Sequence, residues 1–193
     1  MTDSEKNIIL GSLLGDANFS NSHKLTASIS ISHGGIHKNY ALWRKSKLER
    51  IGVKLYERIR SDKRTKKEYA EIILNTRSHP YIHELYLKMK RKGVNSIINL
   101  DLDKELNPEV IAIWYCDDGN LYSKNGTNHL TIATCSFSEK ELCLIINYFK
   151  KNYDILFKKT TNNSIRLTNR ENISIFLNKI KNYIPESMRY KTW

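Results

Sequence analysis

Cysteine is scarce in this chain. Cys116, Cys135 and Cys143 are the three among 193 residues, an odd number, and none forms a Cys-x-x-Cys pair. That argues against a zinc ribbon and for a reducing compartment. No apolar run approaches the roughly 20 residues that a membrane span needs, and no membrane role is expected. The opening Met1-Thr2-Asp3-Ser4-Glu5-Lys6 is too polar for a signal peptide. No His-Glu-x-x-His is present, and no low-complexity linker divides the chain. Acidic residues are also in short supply, 20 against 32 Lys and Arg, so the net charge is +12.

A balance that basic favours a polyanionic partner, nucleic acid above all. The charge is uneven: residues 1–96 carry +10 and residues 97–193 carry +2. If both halves bind one duplex, the first should dominate the phosphate contacts. Lys, Asn and Ile are heavily used, a bias expected of an AT-rich genome. The expected location is therefore an organelle matrix or a bacterial or phage-host cytoplasm.

Two segments share an unusual shape: Ile9-Leu10-Gly11-Ser12-Leu13-Leu14-Gly15-Asp16-Ala17 and Ile111-Ala112-Ile113-Trp114-Tyr115-Cys116-Asp117-Asp118-Gly119. Each is an apolar helical run ending in an acid and a small residue. Asp16 and Asp118 stand about half the chain apart, as one structural unit used twice would place them.

The surroundings repeat too. Thr2 and Glu5 have capping-box spacing for the first helix. Residues 25–33 alternate as a strand, with Ala27, Ile29 and Ile31 on one face and Thr26, Ser28, Ser30 and Ser32 on the other. A helix over 37–51 stops at Gly52; 54–60 and 68–75 read as a hairpin; Ser78 is expected to cap a third helix with Pro80 in its first turn. In the second half, Asn107-Pro108 opens a helix. A strand over 129–135 and a Ser138/Glu141 capping box follow. A shorter hairpin over 154–160 and 164–168 leads to a last helix over 171–183. The plan is α-β-β-α-β-β-α, twice: an α+β fold of two pseudo-symmetric halves, 1–96 and 97–193, in one continuous globular unit.

The two motifs and this plan resemble the LAGLIDADG homing endonucleases, in particular their single-chain, two-motif branch. The likeness covers nearly the whole chain. Trp114-Tyr115-Cys116-Asp117-Asp118-Gly119 is similar to that branch's second motif, and Ile31-Ser32-His33 with Tyr40, and Ser187-Met188-Arg189-Tyr190-Lys191, are similar to its flanking sequences. The resemblance implies that the motif helices pack together at the molecular centre. Small residues one turn apart allow this, and Gly11 and Gly15 supply them in the first copy. The second copy departs from the pattern, with Ile113 and Asp117 at the equivalent positions.

The resemblance further implies that Asp16 and Asp118 are catalytic and bind metal, with Ala17 and Gly119 beside them. Oxygen ligands select a hard cation, so Mg²⁺ is expected, with Mn²⁺ substituting and Ca²⁺ binding without cleavage. A basic residue should support each site: Lys92, with Lys90 as the alternative, in the first half and Lys191 in the second. Two antiparallel sheets should form a saddle on a long, partly asymmetric duplex, cut across the minor groove to leave short 3′ overhangs. Expected DNA contacts are Thr26, Ser28, Ser30, Ser32 and His33, with Arg58, Arg60, Lys63, Arg64, Lys66, Lys67 and Arg77 around the first hairpin. His129, Thr131, Lys158, Lys159 and Arg166 are the second-sheet candidates. The short polar residues are expected to touch few base edges and the hairpin cations to touch phosphate.

Tyr115-Cys116-Asp117-Asp118 also fits a reverse-transcriptase Tyr-x-Asp-Asp, but it ends a helix in a chain far too short for a polymerase. His33/His37 and His79/His83 have zinc-compatible spacing but no third ligand. The competing function is an RNA-binding intron maturase on the same fold. A regulator without catalysis would have lost one acid, and both stand. Both sites lie in one chain, so a monomer is expected.

Overall fold

The computed structural model describes residues 1–61, 66–91, 93–124 and 126–193, with Asn21 placed by its backbone alone. Helix α1 (Asp3–Leu14) begins as its capping box requires: Thr2 Oγ1 accepts from Glu5 N at 3.2 Å, and Glu5 Oε2 accepts from Thr2 N at 2.5 Å. It is apolar nearly all round, with Ile8, Ile9, Leu10, Leu13 and Leu14 buried, as a central helix must be. Its counterpart is α5 (Pro108–Asp118). Asn107 Oδ1 caps it by accepting from Glu109 N and Val110 N, and Val110 to Cys116 are all buried.

These two helices lie side by side and point the same way. A Cβ built on Gly11 would fall 2.7 Å from Cβ of Ile113, and one on Gly15 would fall 2.5 Å from Cβ of Asp117. The departure in the second motif is thus accommodated by the first. The glycines of α1 are the hollows into which Ile113 and Asp117 fit.

After each motif helix the chain turns straight into a sheet. Strands β1 (Ala17–Ser22), β2 (Ala27–Gly34), β3 (Val53–Ser61) and β4 (Glu68–Thr76) form an antiparallel sheet of order β1-β2-β4-β3. Numbering past the short pair β5 (Lys90–Arg91) and β6 (Val94–Asn95), strands β7 (Gly119–Lys124), β8 (Thr127–Ile132), β9 (Lys158–Lys159) and β10 (Ile165–Leu167) repeat that order as β7-β8-β10-β9. Helices α2 (Lys38–Lys47) and α3 (Pro80–Met89) cover the back of the first sheet; α6 (Glu139–Tyr153) and α7 (Arg170–Ile180) serve the second half. A short α4 (Leu102–Glu105) lies in the connector. The buried side chains of both halves form one cluster.

The connector is more than a spacer. Asn95 Nδ2 donates to Leu13 O and Ala17 O, both at 3.0 Å. The next residues, through Ser96 Oγ and Ile97 N, donate to Glu141 Oε1 at 2.5 and 2.8 Å. The chain passes from one half to the other between Asn95 and Ser96.

Some boundaries differ from expectation. His79, not Ser78, caps α3: its Nδ1 accepts from Tyr81 N at 3.1 Å. The reason is a bridge between His79 and Ala27, which keeps the backbone extended through residue 79. The second hairpin shrinks to β9 and β10, because Ile155 and Phe157 are buried in the core rather than paired in a long ladder. The last helix gives way to a 3₁₀ turn over Lys181–Tyr183.

Candidate active site

Parallel packing of α1 and α5 brings their C-terminal ends together. Asp16 lies just past α1, and its main-chain N–H donates to Asp117 Oδ2 at 3.4 Å. Asp118 is the last residue of α5, and the charges of Asp16 and Asp118 fall within each other's reach. The two acids of the repeated motif therefore share one site.

Their surroundings differ. Asp16 Oδ2 is 3.2 Å from Nδ1 of buried His33. The other ring nitrogen of His33 lies 2.8 Å from Nη1 of Arg44. A guanidinium can only donate, so His33 Nε2 accepts and Nδ1 carries the proton that Asp16 receives. Arg44 is fully buried. Its Nη2 donates to Asp117 Oδ1 at 2.8 Å and to Tyr40 Oη at 2.5 Å, and its guanidinium carbon sits 4.4 Å from the Tyr40 ring centre. Burial pushes the Asp16 carboxyl up, but the His33 hydrogen bond and the nearby positive charges outweigh it and hold Asp16 below the usual range. Burial also pushes Asp117 up; the Arg44 charge opposes that and makes the pair a buried salt bridge.

Asp118 has no such partner among the described residues, where its Oδ2 accepts from the neutral indole of Trp114, at 3.3 Å. Burial, and then the charges of Asp16 and Asp117, push its carboxyl up to about 7. Lys191 stands nearby: its Nζ donates to Cys116 O at 2.6 Å, and Tyr115 Oη donates to Lys191 O at 2.7 Å. Burial lowers the Lys191 amine, against the pull of the surrounding acids.

The donor set fits a divalent cation. Asp16, His33 and Asp117 each present a ligand atom within 4.8 Å of one another, but His33 and Asp117 are already engaged with Arg44. Among the described residues, Asp16 and Asp118 are the site carboxylates not held by Arg44, and Asp118 is in no salt bridge. Carboxylate oxygens are ligands for hard ions. Ala17 and Gly119 are buried beside the acids, and Ala17 O already accepts from Asn95.

Beside Asp118 opens a cavity of about 660 Å³ on the face of the second sheet turned away from the core, lined among others by Asn120, His129, Thr131, Lys158 and Arg166. His129 stacks on Tyr122 at 4.7 Å, and Arg166 Nε donates to Thr131 Oγ1 at 3.3 Å. Lys159 also lines it but reaches Glu139. On the first sheet, Ser30, Ser32, Arg58 and Arg60 share the face opposite the core. Thr26 precedes that sheet's second strand, half-buried. Ser28 is buried and paired with Ser20 Oγ.

Two placements depart from expectation. His33, grouped with the DNA contacts, is buried with both ring nitrogens engaged, because β2 turns its odd-numbered residues inward. Arg77 lies at the far end of β4 from the hairpin tip, packed against Gly52. Lys90 sits half-buried in β5. Lys66 and Lys67 are exposed at the hairpin; Lys63, Arg64 and Lys92 lie outside the described residues.

The sequence reading missed Arg44 and the second role of Asp117. The signal was there: Tyr40, Ala41, Arg44 and Leu48 form one buried helical stripe, and a cation on an apolar stripe demands a buried anion.

The chain matches the LAGLIDADG DNA endonuclease family over residues 6–180. It belongs to that family and is a DNA endonuclease. It is 30% identical to the DNA endonuclease I-ChuI of Chlamydomonas applanata, across 99% of this chain and 95% of that one. It is 27% identical to the cytochrome b mRNA maturase bI2 of Debaryomyces hansenii, across 95% of this chain and 71% of the maturase. The homing endonuclease I-WcaI, solved bound to its DNA recognition sequence, has the same fold, with a TM-score of 0.84 and 18% identity over 98% of this chain and 86% of that one.

Proposed function

We propose that this chain is a monomeric, Mg²⁺-dependent homing endonuclease that grips a long, partly asymmetric duplex in the saddle of its two sheets. It cuts both strands across the minor groove and leaves short 3′ overhangs. The carrying observation is the convergence of Asp16 and Asp118 at the paired ends of α1 and α5, between the two sheets. When bound, a divalent cation neutralises these acids and polarises the scissile phosphate and the attacking water.

The chain's own residues do the rest. Asp16 and Asp118 would hold the cation, with the main chain at Ala17 and Gly119 beside them. His33, locked in one tautomer by Arg44, orients Asp16 by donating from Nδ1. Asp117, engaged by the buried Arg44, stays out of the chemistry. Lys191, pinned to the carbonyl of Cys116, places a cation where negative charge builds on the phosphate. Lys92 or Lys90 serves the other strand. The free cysteines support residence in a reducing compartment.

The direct test is incubation with the intron-less host allele and Mg²⁺, with mapping of the cut ends. Asp16→Asn or Asp118→Asn should abolish double-strand cleavage and leave DNA binding in Ca²⁺ largely intact; full cutting by either variant would refute the paired-acid site. A second reading, an intron maturase with or without nuclease activity, is favoured by the likeness to the bI2 maturase. It is tested by binding to the host intron RNA.

A further inference from the structure

Glu71 is at odds with its position. Antiparallel register puts Arg58 opposite Glu71 and Tyr56 opposite Ile73, with Ser32 also beside Ile73. The other face of the same strands holds Ile31, Ile72 and Leu74, all buried. Glu71 therefore lies on the face of the first sheet turned away from the core, the face that meets DNA if the function proposed above holds. A carboxylate on a surface built for phosphates repels them, so its presence calls for a compensating role.

Its contacts supply one. The Glu71 side chain is only 11% exposed. Oε1 accepts from Ser32 Oγ and Oε2 from Arg58 Nε, each at 2.5 Å. These hydrogen bonds, Ser32 first and Arg58 next, hold its carboxyl below the usual range. Three neighbouring strands, β2, β4 and β3, are thus tied by one anion. Arg58 is bound through Nε, while its side chain remains 60% exposed. Its two terminal amino groups have no protein partner among the described residues. The result is a guanidinium of fixed plane with its terminal fork presented outward.

A phosphate contact needs no such clamp; a mobile lysine serves, and an adjacent carboxylate weakens it. A fixed fork of two N–H donors matches the N7 and O6 acceptors that guanine shows in the major groove. Arg60 is the contrast. It is 69% exposed and 3.9 Å from Glu71, too far for a hydrogen bond, and suits a phosphate.

We propose that Arg58 reads one guanine in the half of the target lying under the first sheet, and that Glu71 is its positioning residue, setting specificity without touching DNA. This rests on the DNA-binding reading above and revises, for Arg58, the expectation that the hairpin cations touch phosphate.

The test is selection of binding sites from a randomised duplex pool in Ca²⁺, with the full chain and Arg58→Lys, Glu71→Gln and Arg60→Ala variants. Wild type should select a site with guanine at a defined position. Arg58→Lys keeps the charge but not the fork, and should lose discrimination at that position alone by roughly 5- to 150-fold. Glu71→Gln should weaken the same position while leaving the others intact. Arg60→Ala should weaken all sequences alike and reduce the salt slope by about one. Unchanged preference at every position in Arg58→Lys would make Arg58 a phosphate contact and overturn the proposal; unchanged preference in Glu71→Gln would remove the positioning role. A wild-type chain that selects no site would instead overturn the DNA reading itself.

Discussion

Two acids from the same motif have acquired opposite environments. Asp16 receives a proton-bearing nitrogen and lies near two cations; Asp118 receives a neutral indole and two like charges. The consequence for stability follows from linkage. The folded-state value of Asp118, about 7, lies above its ordinary one, so the folded chain holds this proton more tightly than the unfolded chain does. Without divalent cation, the group costs stability progressively as pH rises from about 4 to 7, and the full cost persists above that. Asp118→Asn should therefore raise the thermal midpoint of the metal-free protein at pH 8 and leave it nearly unchanged at pH 4. An equal shift at both pH values would show that Asp118 is not strained by its neighbours. The acid itself was legible from the motif. Its strain was not, because its burial and the charge of Asp16 beside it arise only when α1 and α5 meet.

At the scale of elements, the seam between the motif helices carries the architecture. Sequence reading locates both helices closely, because capping boxes, an Asn-Pro start and all-round apolarity are local signals. It also raises a difficulty, since the second copy lacks the small residues of the first. The structure resolves it by complementarity: one helix supplies hollows and the other fills them. Gly15→Ala tests this. Its Cβ would lie 2.5 Å from Asp117 Cβ, so the helices must part, at a cost of about 1–3 kcal/mol typical of overpacking. The midpoint should fall by roughly 2–12 °C for a chain of this size. A midpoint unmoved by Gly15→Ala would show a looser seam. Strands were harder to read than helices. β1 and β7 carry little alternation, and follow from the double plan rather than from their own pattern.

For the whole molecule, duplication within one chain underlies the proposal of a monomer. Both acids, both sheets and one buried cluster belong to 193 residues. Sedimentation of the protein, free and on its target duplex, should report one chain per duplex; an obligate dimer would contradict an internal repeat that already supplies both sites. The halves are not equal copies. The first sheet has nine-residue strands in its hairpin, the second strands of two and three residues. The first half also carries most of the charge. Unequal halves suit a target whose two sides differ.

By itself the sequence determined the repeated plan, the basic character and the two motif acids. Each of these is written locally, in capping residues, periodicity, charge and a short motif. Only the tertiary structure decided which side chains those acids meet. Arg44, His33 and Asp117 come from a second helix, a strand end and the opposite half, and Ser32, Glu71 and Arg58 from three strands. Their partnerships are distances across the fold, and no spacing along the chain encodes a distance that packing alone sets.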